Sequence, residues 1–297
     1  MFGKKFFSIF LGALLLSSAV GFGQTHNGKE LVEFEGIPGS SKMVPGQPFP
    51  VALEMKMAEG WHTYWTFSGE AGLATTIQWD LPEGIRAGKI VSPLPVLKTE
   101  ETGMKAYSFQ DEVTHVVYLY PSPEWPMGET LEISAKVDWL VCEESCIPGN
   151  AEFSFSVETA ESMDVNARVQ KAQESIPGII PWDEEALVWR WAKTENHLHL
   201  LLGDLPDGDQ QIKAFYPLPP DGVFIEIPQA PEPLEKNAEL LELHPDYETV
   251  ISVKVNSGLD NIEHLDGLLV LHDLSDTEKR TGYLLPKQPL TNLAYHD

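Results

Sequence analysis

Between residues 131 and 157, alternating apolar side chains leave this chain few conformations other than a long β-hairpin. A first run of alternating apolar residues spans 131–141, and a second follows after a short connection, at Phe153, Phe155 and Val157. A period of two is the pattern of strands with one buried face, and two such runs around a short connection predict an antiparallel hairpin. The outgoing run has its apolar residues at odd positions: Leu131, Ile133, Ala135, Val137, Trp139 and Val141.

Short runs of this kind recur along the rest of the chain and predict an all-β fold. The 23 Pro and 23 Gly supply the turns that many short strands need. The other predicted strands of the first half lie at 51–57, 61–65, 77–79 and 107–120, the last as one core strand. Those of the second half lie at 186–192, 197–202, 211–216, 223–227, 249–255, 268–272 and 282–285, which fits a second β-sandwich.

A single helical pattern separates the two sets of strands. Val165, Val169, Ala172 and Ile176 recur at helical spacing, and a proline follows at position 177. We therefore expect a short connecting helix. The predicted organisation is a first β-sandwich domain over 24–158, a helical linker over 159–181 and a second β-sandwich domain over 182–297.

The first 23 residues have the pattern of a secretory signal peptide. Lys4 and Lys5 precede an apolar stretch that ends in small residues at Gly21 and Gly23. The rival interpretation is a membrane anchor, for which the apolar stretch is short. We expect a cleaved signal and an exported, periplasmic protein.

The charge of the chain excludes one class of partner. Against 45 Asp and Glu there are 20 Lys and Arg, a formal net charge of −25. Phosphate backbones would repel such a surface, so no nucleic acid is expected as a partner.

Cys142 and Cys146 are the two cysteines of the chain, and outside the cytosol a nearby pair is usually a disulfide. Four residues of extended strand span about 13 Å, whereas bonded cysteines have Cα atoms about 4.4–6.8 Å apart. The backbone must therefore reverse across the three residues between them, at the neck of the hairpin. Two alternatives stay open for such a bond: a structural staple contributing about 2 kcal/mol, or a redox-active pair.

Metal binding is a weaker alternative. A binuclear copper loop needs a His and a Met where this chain has Asn150 and Phe153, and a single-copper site would need a remote imidazole such as His62 or His115. His197 and His199 have a spacing compatible with a metal, but the sequence indicates no third ligand. We expect neither a metal nor a cofactor.

Five segments together resemble the N-terminal periplasmic domain of DsbD-type thiol:disulfide interchange proteins, and most of all their ScsB-like branch. The resemblance covers about residues 30–158. The segments are GWHTYW (60–65), GEAGL (69–73), IQWDLPEG (77–84), YSFQDEV (107–113) and WLVCEESCIP (139–148).

The resemblance implies an immunoglobulin-like sandwich and a protein-disulfide reductase type of exchange. Such a domain takes two electrons from a membrane-embedded partner and passes them to exported thioredoxin-like or disulfide-carrying proteins. Cys142 and Cys146 match the redox pair, with Cys146 as the cysteine that forms mixed disulfides. Because the sequence contains no transmembrane electron-transfer domain, the implied reductase is a separate membrane protein.

Supporting residues can be carried over in the same way. Tyr64 falls where the family has an aromatic beside the pair, and His62 where it has another. The family's cap loop corresponds to residues 98–103, which contain no aromatic, so the resemblance leaves two alternatives: shielding by Leu97, Met104 or Phe109, or no shielding.

The residues between the cysteines carry a separate expectation. The negative charges of Glu143 and Glu144 should disfavour thiolates and make the pair reducing.

A non-enzymatic binding module with a static hairpin disulfide is the rival function.

Overall fold

The computed structural model describes residues 27–100, 102–164, 166–180, 187–206, 208–262, 265–276, 278–285 and 291–292. It is an all-β structure of two sandwiches with a short helix between them, as the sequence predicts. The predicted signal peptide, residues 1–23, lies outside the described residues. In the described part of the chain no helix has the length and apolar character needed to cross a membrane.

The first sandwich is built from eleven strands in two sheets. One sheet has the order β1-β3-β9-β6, and the other β2-β11-β10-β4-β8-β7 with β5 also paired to β10. The strands are β1 Val32–Pro38, β2 Lys42–Met43, β3 Phe49–Met57, β4 His62–Gly69, β5 Thr76–Asp80, β6 Ile85–Ala87, β7 Val96–Thr99, β8 Lys105–Gln110, β9 Glu112–Pro121, β10 Thr130–Cys142 and β11 Cys146–Thr159.

The long hairpin predicted from alternation is confirmed as β10 and β11. Its register runs without a slip from Thr130 opposite Glu158 to Cys142 opposite Cys146. All the odd-numbered residues of β10 are buried, because that face lies against the core between the sheets. The register therefore fixes the two cysteines as the last directly opposed pair before the turn.

The prediction of one core strand over 107–120 is wrong. The chain forms two strands there, β8 and β9, which belong to different sheets. Between them Asp111 has a φ of 58°, a left-handed conformation, and its carbonyl accepts a hydrogen bond from the Met57 N–H. Asp is among the residues that tolerate this conformation, and the corner coincides with the polar run at 110–112 between two apolar segments.

The connecting helix α1 spans Ala167–Glu174, and the Asn166 side chain caps its N-terminus by accepting from the Arg168 N–H. Val169 and Ala172 are buried against the outer face of the β1-β3-β9-β6 sheet. Arg168 also forms a bidentate ion pair with Glu35. The helix is therefore packed against the first sandwich, beyond its predicted role as a connector.

The second sandwich pairs the sheets β12-β20-β19-β15 and β16-β18-β14-β13-β21, with β17 added to β18. A second helix, α2 Ala238–Leu243, follows a 3-10 turn at Leu234–Lys236, and another 3-10 turn spans Leu259–Asn261. The strands are β12 Gly178–Ile179, β13 Trp189–Lys193, β14 His197–Leu202, β15 Gln210–Leu218, β16 Phe224–Ile225, β17 Glu232–Pro233, β18 Thr249–Ser257, β19 Asp266–Asp273, β20 Arg280–Leu285 and β21 Thr291–Asn292.

Aromatic side chains join the two sandwiches. Tyr216 of β15 lies 4.5 Å from Tyr107 and 6.3 Å from Trp65, measured between ring centroids. Tyr216 and Leu268 thereby belong to the core cluster of the first sandwich. The sheet that carries the cysteines is thus packed through β4 and β8 against the second half of the chain.

Candidate functional site

A disulfide closes the neck of the β10–β11 hairpin. It joins Cys142 and Cys146, whose Cα atoms are 4.2 Å apart. The three-residue turn between them, Glu143–Ser145, is closed by a 3.3 Å hydrogen bond from the Glu143 N–H to the Ser145 carbonyl. All three turn residues are exposed, so the bond lies at the tip of the sandwich.

The two cysteines differ in exposure. Cys142 is 2% exposed because β10 continues alongside β4 at this point, where Cys142 pairs with His62. Cys146, the first residue of the returning strand, is exposed. The two cysteines of one short disulfide therefore differ in how much of each residue is accessible to solvent.

Tyr64 fills the space behind the disulfide. Its hydroxyl lies 4.0 Å from Cys146 Sγ, at the outer limit for a hydrogen bond to sulfur, and its ring packs with Cys142 and Ala106. Gly72 lies against the ring: an added Cβ would come 2.2 Å from it, and φ there is +83°. Burial and the charge of Glu100 raise the pKa of Tyr64 to about 12, so the phenol stays protonated at neutral pH.

His62 lies behind Tyr64 and is fully buried. Its Nε2 is 3.1 Å from the Tyr64 hydroxyl and 3.0 Å from Glu100 Oε1, while Nδ1 is 3.2 Å from Lys98 Nζ. Burial lowers the pKa of His62, Glu100 opposes that shift, and Lys98 adds to it. The imidazole is therefore neutral at neutral pH.

Lys98 and Glu100 are site residues that the sequence did not reveal. They lie in the segment that corresponds to the family's cap loop, for which the resemblance predicts an aromatic shield. Strand β7 pairs with β8, and β8 pairs with β4, which brings residues 36 or more positions apart to the same place. The sequence signal for this part of the site was the pair Lys98 and Glu100, two residues apart at the end of the edge strand β7. Its partner, His62, is far away in the sequence.

The three side chains proposed as shields lie elsewhere. Phe109 is on the core face of β8, opposite to the face of Ala106, and its ring packs edge-on against His115 at 5.4 Å. Leu97 is packed against the same core, and Met104 is 41% exposed. We therefore place Phe109 in the sandwich core, outside the group around the disulfide, because its strand position has the opposite parity.

His115 and His199, two histidines considered as metal ligands, have polar partners within the protein. His115 Nδ1 lies 2.8 Å from Ser92 Oγ, and the two ring nitrogens of His199 lie 2.9 Å from Ser252 and 3.1 Å from Thr194. In the part of the chain that the structure describes, no cluster of three or more His, Cys, Asp or Glu side chains could hold a metal ion.

Comparison with known proteins shows a sequence similarity over most of the first sandwich. Residues 35–158 match the family model of the thiol:disulfide interchange protein DsbD, N-terminal. No curated protein sequence matches the chain.

Two solved structures are similar. The N-terminal periplasmic domain of ScsB from Proteus mirabilis is 17% identical with a TM-score of 0.59, covering 90% of this chain and 96% of that one. The DsbD N-terminal domain of Neisseria meningitidis, in its reduced form, is 15% identical with a TM-score of 0.28, covering 41% of this chain and 86% of that one. The first of these likenesses extends the shared fold across both sandwiches.

Proposed function

Because residues 35–158 match the DsbD N-terminal family model, we propose that the protein is an exported thiol–disulfide exchange module. It passes electrons between a membrane thiol reductase and periplasmic disulfide-carrying or thioredoxin-like proteins. The Cys142–Cys146 pair carries the electrons. The reductase is a separate protein, and residues 1–23 direct export.

One observation carries this proposal: the two sulfurs of one short-range disulfide have opposite environments. Cys146 is exposed, whereas Cys142 is 2% exposed beside Tyr64. A staple needs no such difference, but exchange does, because only a reachable sulfur can form a bond to a partner. The small stabilisation expected from so short a loop, about 2 kcal/mol, also leaves the bond of limited value as a staple.

The exchange can be written with all atoms and electrons accounted for. Cys146, as a thiolate, attacks one sulfur of the partner's disulfide, and the other partner sulfur leaves and takes up a proton. Cys142 then loses its proton, attacks Cys146 Sγ and releases the second partner sulfur. The Cys142–Cys146 bond re-forms, and two electrons with the two cysteine protons end on the partner's two thiols.

Trapping of the mixed disulfide tests which sulfur meets the partner. In a Cys142→Ala variant Cys146 has no resolving thiol, so incubation with an oxidised thioredoxin-like protein should accumulate a covalent complex. The Cys146→Ala variant retains the buried sulfur and should accumulate much less. The complexes are measured on non-reducing gels, and the wild type is the control in which the complex resolves.

Two results would count against the proposal. Equal trapping by both variants, or stronger trapping through Cys142, would reverse the roles of the two sulfurs. No trapping by either variant would favour the rival function, a binding module with a static disulfide.

A further inference from the structure

Behind the disulfide lies a row of polar side chains that a structural staple does not require. Lys98, Glu100, His62 and Tyr64 form a continuous set of contacts that ends at Cys146 Sγ. His62 is fully buried and the Glu100 side chain is 12% exposed. Burying a carboxylate and an imidazole costs free energy that apolar residues would not, so such a set points to a role in chemistry.

The donors and acceptors of this row fix the positions of its protons. The Lys98 ammonium can only donate, so His62 Nδ1 accepts and the imidazole proton is on Nε2. Nε2–H then donates to the oxygen of Tyr64, 3.1 Å away, while Glu100 Oε1 lies 3.0 Å from the same nitrogen without a hydrogen bond to it. Because the Tyr64 oxygen accepts from His62, its own O–H is left to donate towards Cys146 Sγ.

We propose that Lys98 and His62 are positioning residues that hold the Tyr64 hydroxyl as a hydrogen-bond donor to Cys146, and so set how readily that sulfur becomes the attacking thiolate. The proposal rests on the exchange function proposed above. A donor aimed at the sulfur stabilises its charged form. Lys98 acts on Cys146 indirectly, through the hydrogen bonds of His62 and Tyr64, and the Tyr64 hydroxyl makes the contact with Cys146 Sγ.

Glu100 opposes this effect and should make the Cys146 thiolate harder to form. Its carboxylate lies 3.0 Å from His62 Nε2 and adds a negative charge beside the row. It is also 3.7 Å from Lys98 Nζ, so it partly neutralises that charge. The remaining residues paired with His62 are Cys142 on β10 and Gln110 on β8, neither of them a fixed charge. The nearby charges of the cysteine turn are Glu143 and Glu144.

The test is the pH dependence of Cys146 alkylation by iodoacetamide in the Cys142→Ala background, where one thiol remains. Tyr64→Phe removes the hydroxyl and should raise the midpoint by about one pH unit, the shift expected for one lost hydrogen bond to a charged group. Lys98→Met should raise it in the same direction. Glu100→Gln should lower it.

Combining the variants decides how Lys98 acts. If it works through His62 and Tyr64, Lys98→Met should have no further effect once Tyr64 is Phe. The matched control is Lys136→Met, which removes the same charge from a partly exposed lysine paired with Asp138. Lys136 lies six residues before Cys142, about 20 Å along the strand, and its loss should leave the midpoint unchanged.

Several results would overturn the inference. Additive shifts would show that Lys98 acts on the sulfur by its charge alone, without the row of hydrogen bonds. An unchanged midpoint in Tyr64→Phe, or an equal shift in Lys136→Met, would also contradict it. Alkylation requires no partner protein, so these results are distinct from a failure to trap partners, which would bear on the exchange function itself.

Discussion

At the scale of single residues, the site depends on how closely Tyr64 is packed. Its ring lies between the disulfide and the backbone at Gly72, and its hydroxyl faces both Cys146 and His62. A side chain at position 72 would meet the ring, so both the lack of space and the positive φ favour glycine at this position. The position of the hydroxyl therefore depends on a residue that makes no chemical contribution of its own.

Gly72→Ala tests this packing. Gly72 and Gly128 both have positive φ, +83° and +79°, but nothing lies within 4 Å of a Cβ added at Gly128. Both alanine variants should lose about 1–2 kcal/mol of unfolding free energy through backbone strain. Gly72→Ala should lose more, because the ring must also move. The free energies are measured by urea unfolding, and equal losses in the two variants would contradict the packing argument.

At the scale of secondary-structure elements, the sequence predicts what depends on local periodicity. The β10–β11 hairpin follows from alternation between Leu131 and Val157, and the position of both cysteines at its neck follows from the short connection. A short polar run at 110–112 marks the turn at Asp111, but apolar alternation resumes on both sides of it, so periodicity alone does not separate the two strands.

The row of polar residues behind the disulfide could not be predicted for a different reason. Lys98 and Glu100 meet His62 only because β7, β8 and β4 are neighbours in one sheet, and strand order is a property of the whole sandwich. The family resemblance located Tyr64 beside the pair but directed attention to an aromatic shield. Phe109 was chosen for its residue type, and its position on the core face of β8 depends on a register that the sequence does not specify.

Helix α1 gives a test at this scale. Val169 is buried against the sheet of β1, β3 and β9, whereas Lys171 is exposed on the same helix. If the helix is part of the first sandwich, Val169→Ala should lower the unfolding free energy by roughly 2 kcal/mol, since it removes buried methyl groups. Lys171→Ala should change it by less than about 0.5 kcal/mol. Equal effects, measured by urea unfolding, would indicate a helix that merely connects.

At the scale of the whole molecule, the sandwiches share an aromatic contact. Tyr216 from the second half packs against Trp65 on β4, the strand of His62 and Tyr64, and against Tyr107 on the neighbouring strand β8. The second half therefore supports the sheet that carries the cysteines. The division at 158 and 182 stays a prediction, since β11 continues to Thr159 and α1 packs on the first sandwich.

The central claim is that the Cys142–Cys146 bond opens and closes reversibly in the folded protein. The most direct measurement equilibrates the protein lacking residues 1–23 in glutathione buffers of graded potential, counts its free thiols and follows its fold by circular dichroism. Because the charges of Glu143 and Glu144 disfavour the reduced pair's thiolates, we expect a midpoint more reducing than about −180 mV, with the protein folded throughout. A bond that cannot be reduced without unfolding, or a midpoint near about −120 mV, would contradict this account.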